Sequence, residues 1–210
     1  RPRGTGTGGP GGPADVGPRR STRPARTAHP APAAAITNPP AGVSTRPLDT
    51  RRLAGRARRA FAQASLAGET VFTEHTGHAR ELAADFVRRG FSPIIAWGGD
   101  GTVNEVASAL VFRDAVMGIV PSGSGNGLAR ELGISLCPEC AVATAAHGVD
   151  RTIDVGELGG RFFVNLAGVG LDVSVAHLFN RLAGRGLCRY VQATLSTVFS
   201  YEAETYTITA

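Results

Sequence analysis

Ten residues constrain this chain more than any others: Trp97-Gly98-Gly99-Asp100-Gly101-Thr102-Val103-Asn104-Glu105-Val106. The run before them, Phe91 to Ala96, is apolar, carries the β-branched pair Ile94-Ile95 and has the length of a strand. After them, Val103, Val106, Ala107 and Leu110 recur at the spacing of one helix face. Gly98 to Thr102 therefore predicts a glycine-rich turn from a strand into a helix. Glycines without Cβ atoms let backbone N–H groups approach a ligand, and a helix N-terminus favours anions. Thr102 is the expected N-cap, which puts Asn104 and Glu105 in the first turn beside whatever the turn holds. The chemistry this pattern suits is a phosphate cradle with one carboxylate, Asp100, at its centre.

The same grammar repeats downstream. Val116 to Val120 is an expected strand ending at Pro121, followed by Ser122-Gly123-Ser124-Gly125-Asn126-Gly127 and a helix running to about Leu132. Upstream, Ala34 to Thr37 is a short expected strand, Leu48 to Leu66 a helix with an arginine-rich outer face, Glu69 to Thr73 a second strand, and His78 to Arg89 a helix. Strands alternating with helices predict an α/β fold, a mostly parallel sheet with helices on both faces. In such sheets ligands bind beyond the carboxyl ends of the strands, where all four candidate loops fall. Two glycine turns after neighbouring strands can enclose a polyphosphate from both sides, and with Asp100 open to a metal ion or its water shell, a nucleoside triphosphate is the leading ligand.

Composition removes competing mechanisms. All 22 basic residues are Arg and none is Lys, which excludes a Walker-type P-loop, a protein-kinase site and Schiff-base chemistry. The net charge of +5 sits in the tail: six arginines face only Asp15 before residue 35, and acids balance arginines in the remainder. The basic character therefore gives no reason to expect a nucleic-acid groove. Residues 1–33, rich in Gly, Pro, Ala, Arg and Thr, are expected to be a disordered tail. Three cysteines, with Cys137-Pro138-Glu139-Cys140 as a lone C-x-x-C, fit a reducing compartment and read as helix-start residues rather than a metal or redox pair. No stretch approaches the length of a membrane span.

With these residues in view, the chain resembles the diacylglycerol kinase and sphingosine kinase superfamily. Gly98-Gly99-Asp100-Gly101-Thr102-Val103-Asn104-Glu105-Val106, the Pro121 to Ile134 stretch, Asn38-Pro39-Pro40-Ala41-Gly42 and Thr73 with Gly77-His78-Ala79 match its motifs in order. The resemblance implies nucleotide contacts from Asn38, Pro39, Pro40, Ala41 and Gly42, from Thr73, from Gly99, Asp100, Gly101, Thr102, Val103, Asn104 and Glu105, and from Ser124. It implies ATP and Mg²⁺, with Asp100 assisting transfer through metal-bound water or by activating the incoming hydroxyl. Asn126 would order its loop, and Arg130 would pair phosphate or cap a helix. His78 invites either a general-base role or a structural one at a helix start.

Residues 34–150 would form the nucleotide-binding domain and residues 151–210 the opening of a β-rich, lipid-binding second domain. In the latter, Thr152 to Leu158, Gly159-Gly160 and Arg161 to Leu166 signal a hairpin, Leu178 to Phe199 looks largely helical, and Tyr206 to Thr209 begins a strand. Asp172 would meet a hydroxyl-bearing head group or stand as an exposed strand residue. The activity implied is phosphoryl transfer from ATP to a hydroxyl of a membrane lipid, in the cytoplasm and peripheral at the inner membrane surface. Two alternatives stay open. The superfamily's later D-G-E segment, with its proton-accepting acid, is absent from this sequence, so either the chain is a truncated form of a longer enzyme or it is an inactive nucleotide-binding remnant. A soluble, NAD-kinase-like enzyme shares the G-G-D-G-T turn but not the other motifs.

Overall fold

A computed structural model describes residues 31–38 and 47–168, with isolated positions between 170 and 205. Four strands, β1 (Ala33–Thr37), β2 (Gly68–Phe72), β3 (Ile94–Gly98) and β4 (Met117–Pro121), form one sheet in the order β2-β1-β3-β4. Every pairing is parallel, with Ala34 opposite Ile94 and Gly98 opposite Pro121. β1 and β3 are buried along their whole length, as strands covered on both faces must be. Three consecutive alanines in β1 are strong helix formers by themselves. Burial between two neighbours overrides that preference, and their small side chains let helices lie close to both faces.

Strand alternation splits the core into two layers. Ala34, Ile36, Ile94, Ala96 and Ile119 point toward α2 (His78–Arg88), α3 (Asp100–Leu110) and α4 (Gly127–Glu131), meeting Ala83, Phe86, Val103, Val106 and Leu128. Ala33, Ala35, Ile95, Trp97 and Val120 point toward α1 (Pro47–Gln63) and α5 (Pro138–His147), meeting Ala57, Phe61, Val142 and Ala146. The parallel sheet with helices on both faces is thus the architecture the sequence predicts. On the second face, Arg56 of α1 holds Glu139 of α5 through two hydrogen bonds of 2.9 and 3.2 Å.

Two local expectations are corrected. The third strand starts at Ile94 rather than Phe91. Pro93 has no N–H to give and Ser92 accepts the Val116 N–H through its hydroxyl, so although both residues bond to the β1 side through their backbones, the ladder to β4 begins at Ile94. Phe91 packs edge-on against Phe86, 5.0 Å between ring centroids, so its apolar character serves the helix layer. The following helix starts at Asp100, with extended Gly99 as its N-cap, so Thr102 lies inside the helix.

Beyond α5, β5 (Gly156–Leu158) and β6 (Arg161–Phe163) form an antiparallel hairpin across Gly159-Gly160, whose φ values of 56° and 73° explain the paired glycines. The hairpin packs on α3. Asn104 Nδ2 donates to the Phe162 carbonyl and Asn104 Oδ1 accepts the Val164 N–H, both at 3.2 Å, so one side chain mimics a strand edge. The tail expected to be disordered, the helix expected over 178–199 and the strand expected over 206–209 lie outside the described residues, apart from a few positions.

Candidate functional site

All four parallel strands end at one edge of the sheet, and four loops emerge there. The loop after β3 and the loop after β4 are in direct backbone contact. A Cβ added to Gly123 would stand 2.5 Å from Gly99 Cα, and one added to Gly99 would stand 3.2 Å from Gly123 Cα. A side chain at Gly123 would force the two backbones apart, and one at Gly99 would be tight. Ser122 N–H donates to the Gly98 carbonyl at 2.9 Å, which continues the sheet's pairing by one step and brings the turns together.

Asp100 locks the arrangement. Its Oδ2 accepts the Asn126 N–H at 2.9 Å and its Oδ1 accepts the Gly127 N–H at 2.6 Å, so the first residue of α3 caps the start of α4. Such charge-assisted bonds are about twice as strong as neutral ones. Asn126 closes the second loop on itself: Gly123 N–H donates to its Oδ1 and its Nδ2 donates to the Gly123 carbonyl, both at 2.8 Å. This buried asparagine has φ 54° and ψ 44°, a left-handed conformation asparagine tolerates better than most residues. The loop-ordering role expected of Asn126 is what its contacts show. Arg130 braces the same loop, its Nε donating to the Gly125 carbonyl at 2.9 Å.

The N-terminus of α3 faces the junction of the two turns. Val103 N–H donates to the Gly99 carbonyl at 3.1 Å and is the first amide used inside the helix. The amides of Asp100, Gly101 and Thr102 precede it and have no acceptor within the helix. Three donors and the positive end of an 11-residue helix dipole therefore meet beside the glycine backbone. Gly101 is exposed, with open space where a Cβ would stand.

The remaining expected residues divide. Asn38, at the end of β1, reaches across to donate through Nδ2 to Thr102 Oγ1 at 3.1 Å, so the first and third loops are tied together. Thr73 follows β2 and donates its N–H to the Thr37 carbonyl at 2.9 Å. Ser124 is exposed on the second glycine turn. Val103 buries its side chain in the core. Asn104 spends its amide on β6. Glu105 accepts the Gly77 N–H at 2.9 Å and the Ala79 N–H at 3.2 Å, capping the start of α2 with both oxygens. His78 begins α2 and accepts the Glu74 N–H through Nδ1 at 3.0 Å. Pro39, Pro40, Ala41, Gly42 and Asp172 lie outside the described residues. Sequence reasoning missed Asn165, whose amide lies against Gly127 so closely that a Cβ there would collide with it. It also missed Thr37, whose buried Oγ1 at this edge finds no hydrogen-bond partner among the described residues.

Cys137 and Cys140 sit where the sequence places them, at the start of α5, with Cys137 as N-cap and Pro138 at the first helical position. Glu139 between them is held at a pKa of about 2, chiefly by its hydrogen bond to Arg56. The Cys140 thiol is pushed up, first by its hydrogen bond with Cys137.

The family model for the diacylglycerol kinase catalytic domain matches residues 32–158, and the chain belongs to that family. Over 113 residues it is 41% identical to the diacylglycerol kinase of Bacillus subtilis (strain 168), an alignment covering 52% of this chain and 37% of the relative. Over 153 residues it is 33% identical to a protein of Chromohalobacter salexigens named "Probable lipid kinase YegS-like", covering 69% of this chain and 48% of the relative. A solved diacylglycerol kinase structure from Bacillus anthracis str. Sterne superposes with a TM-score of 0.50 at 25% identity, covering 63% of this chain and 47% of that one. A second solved chain from that organism reaches a TM-score of 0.58 at 24% identity over 81% of this chain and 55% of its own, a likeness of fold. The chain thus spans less than half the length of these two curated relatives. Among the described residues no helix is long and apolar enough to cross a membrane.

Proposed function

We propose that this chain is the nucleotide-binding part of an ATP-dependent lipid kinase, passing the γ-phosphoryl group to a hydroxyl of a membrane lipid of the diacylglycerol or sphingoid type. The observation that carries the reading is the pair of glycine turns in backbone contact, bridged by Asp100. The triphosphate lies along the α3 N-terminus, where the amides of Asp100, Gly101 and Thr102 meet its charge. Ser124 and Thr73 flank it from the neighbouring loops. Thr37 Oγ1, buried without a partner, fits a polar occupant at this edge, since an unpaired buried hydroxyl costs about 1–3 kcal/mol.

Mg²⁺ fits this donor set on Mg²⁺'s own terms. It keeps several waters and takes one or two carboxylates plus substrate phosphates. Asp100 supplies one exposed carboxylate whose oxygens keep lone pairs beyond those that accept amides, enough to hold a metal-bound water. The metal, when bound, neutralises charge developing on the transferred group. The protein's own part is positioning, which is where most of the rate of such reactions originates.

Lipid access fits peripheral contact with a membrane surface, and Asp172 is our candidate for the head group. Residues 34–150 then serve nucleotide binding, and the hairpin opens the lipid-facing part. The experiment is phosphoryl transfer from γ-labelled ATP to diacylglycerol and to sphingoid bases in mixed micelles, using this chain and a form extended to the length of its relatives. Labelled lipid supports the reading. ATP binding without label in either form leaves a nucleotide-binding module, and failure to bind ATP at all would end the proposal.

A further inference from the structure

Outside the glycine turns, His75, His78 and Glu81 converge where the loop after β2 enters α2. They recur every three residues, and one donor atom from each lies within 4.8 Å of the other two. His75 and Glu81 are exposed and His78 is half-buried, so the cluster is open to solvent. The two imidazoles stack with centroids 4.6 Å apart and planes 9° from parallel.

The surroundings of the rings go beyond simple proximity. His75 Nδ1 lies 3.0 Å from the Thr76 carbonyl oxygen. A carbonyl can only accept, so Nδ1 carries the proton and the lone pair is on Nε2. A metal-bound histidine commonly shows this arrangement, its second nitrogen donating to a backbone carbonyl. Beneath the cluster, Glu105 pins the amides of Gly77 and Ala79, so the backbone holding the three side chains is fixed from a separate helix.

We propose that His75, His78 and Glu81 form a binding site for a transition-metal dication of the Zn²⁺ type. Two imidazoles and one carboxylate suit Zn²⁺, Co²⁺, Ni²⁺ or Cu²⁺, whereas Mg²⁺ and Ca²⁺ take oxygen sets. Three protein ligands leave a fourth tetrahedral position for water or another oxygen donor. This site is separate from Asp100 and independent of the kinase reading.

Occupancy has a built-in consequence. His78 Nδ1 accepts the Glu74 N–H, so neutral His78 holds its proton on Nε2. Coordination through Nε2 moves that proton to Nδ1; coordination through Nδ1 replaces the amide directly. Either way Glu74 N–H is released, one residue from Thr73 on the nucleotide side of the loop. Metal binding is therefore reported at that amide.

The test is titration of the full chain carrying Cys137→Ser, Cys140→Ser and Cys188→Ser with Zn²⁺ by calorimetry and with Co²⁺ by visible absorption, without nucleotide. The substitutions remove the thiols that would compete for a soft metal. One equivalent is expected, with a Co²⁺ ligand-field band and movement of the Glu74 amide resonance. His75→Ala and Glu81→Gln, introduced separately, should each weaken binding at least about tenfold, with circular dichroism and melting temperature unchanged. No stoichiometric uptake in the thiol-free background, or undiminished affinity in either variant, overturns the site.

Discussion

Replacing Gly123 by Ala tests the contact on which the glycine-turn cleft depends. The new Cβ would meet Gly99 Cα at 2.5 Å and Asn126 Oδ1 at 3.0 Å. Ordinary contact begins near 3.4 Å, so the two turns must separate by about 0.9 Å, and the obstacle is backbone rather than a flexible side-chain tip. Overpacking of this kind costs about 1–3 kcal/mol. The free protein relieves the strain by letting the turns part; a ligand that needs them together must pay it back. At about 1.4 kcal/mol per tenfold, ATP affinity falls roughly 5- to 150-fold. Gly101→Ala is the matched control for stability, because nothing lies within 4 Å of its Cβ position and the residue is already helical. That change leaves stability unchanged or raises it by up to about 1 kcal/mol. Urea denaturation and calorimetric titration with ATP and Mg²⁺ read both quantities. Wild-type stability together with wild-type ATP affinity in Gly123→Ala would refute the argument.

Three further perturbations probe the supports of the site. Asn104→Ala removes the hydrogen bonds to Phe162 in β6 and to Val164 just after it and should cost about 1–3 kcal/mol, with the Val164 amide exchanging faster while amides of the central strands stay protected; unaltered exchange at Val164 would contradict this. Glu105→Ala uncaps α2 and should cost about 0.5–2 kcal/mol in urea denaturation, and a change within error would show that the Gly77 and Ala79 contacts contribute nothing. The Arg56–Glu139 pair sets a pH dependence. Glu139 is held at about 2 in the folded protein, below the ordinary glutamate value of 4.5, so its contribution is present above 4.5 and is lost as pH falls toward 2. Arg56→Ala should flatten that part of the acid limb in melting temperature against pH, and an unchanged acid limb would count against the pairing. The effect is small, because both partners are well exposed.

Much of the fold is legible in the sequence because its signals are local. Apolar periodicity marks α2 and α3, and the glycine turns mark the carboxyl ends of β3 and β4. The local reading failed where distant residues decide. Thr102 has the side chain of an N-cap, yet its hydroxyl accepts from Asn38, 64 positions away, while extended Gly99 begins the helix. Phe91 looks like strand because it is apolar, but Phe86 across the helix layer claims it. The family resemblance gave Asn104 and Glu105 to the nucleotide as parts of one motif. Their side-chain partners in the structure are β6 and α2, 58 and 28 residues away. The bridge from Asp100 to Asn126 and Gly127 was equally out of reach, since nothing local links a carboxylate to amides 26 and 27 residues later.

The most direct test of the central claim is an amide-resolved NMR titration of the protein with ATP and Mg²⁺. The structure leaves the amides of Asp100, Gly101 and Thr102 without an acceptor inside α3 and places Gly99 and Gly123 in backbone contact. The account predicts that resonances from Gly99 through Thr102 and from Gly123 through Gly127 shift together with one dissociation constant, and that Asp100→Asn weakens the response in both segments. Shifts confined to one turn, or centred on residues away from this edge of the sheet, would contradict it.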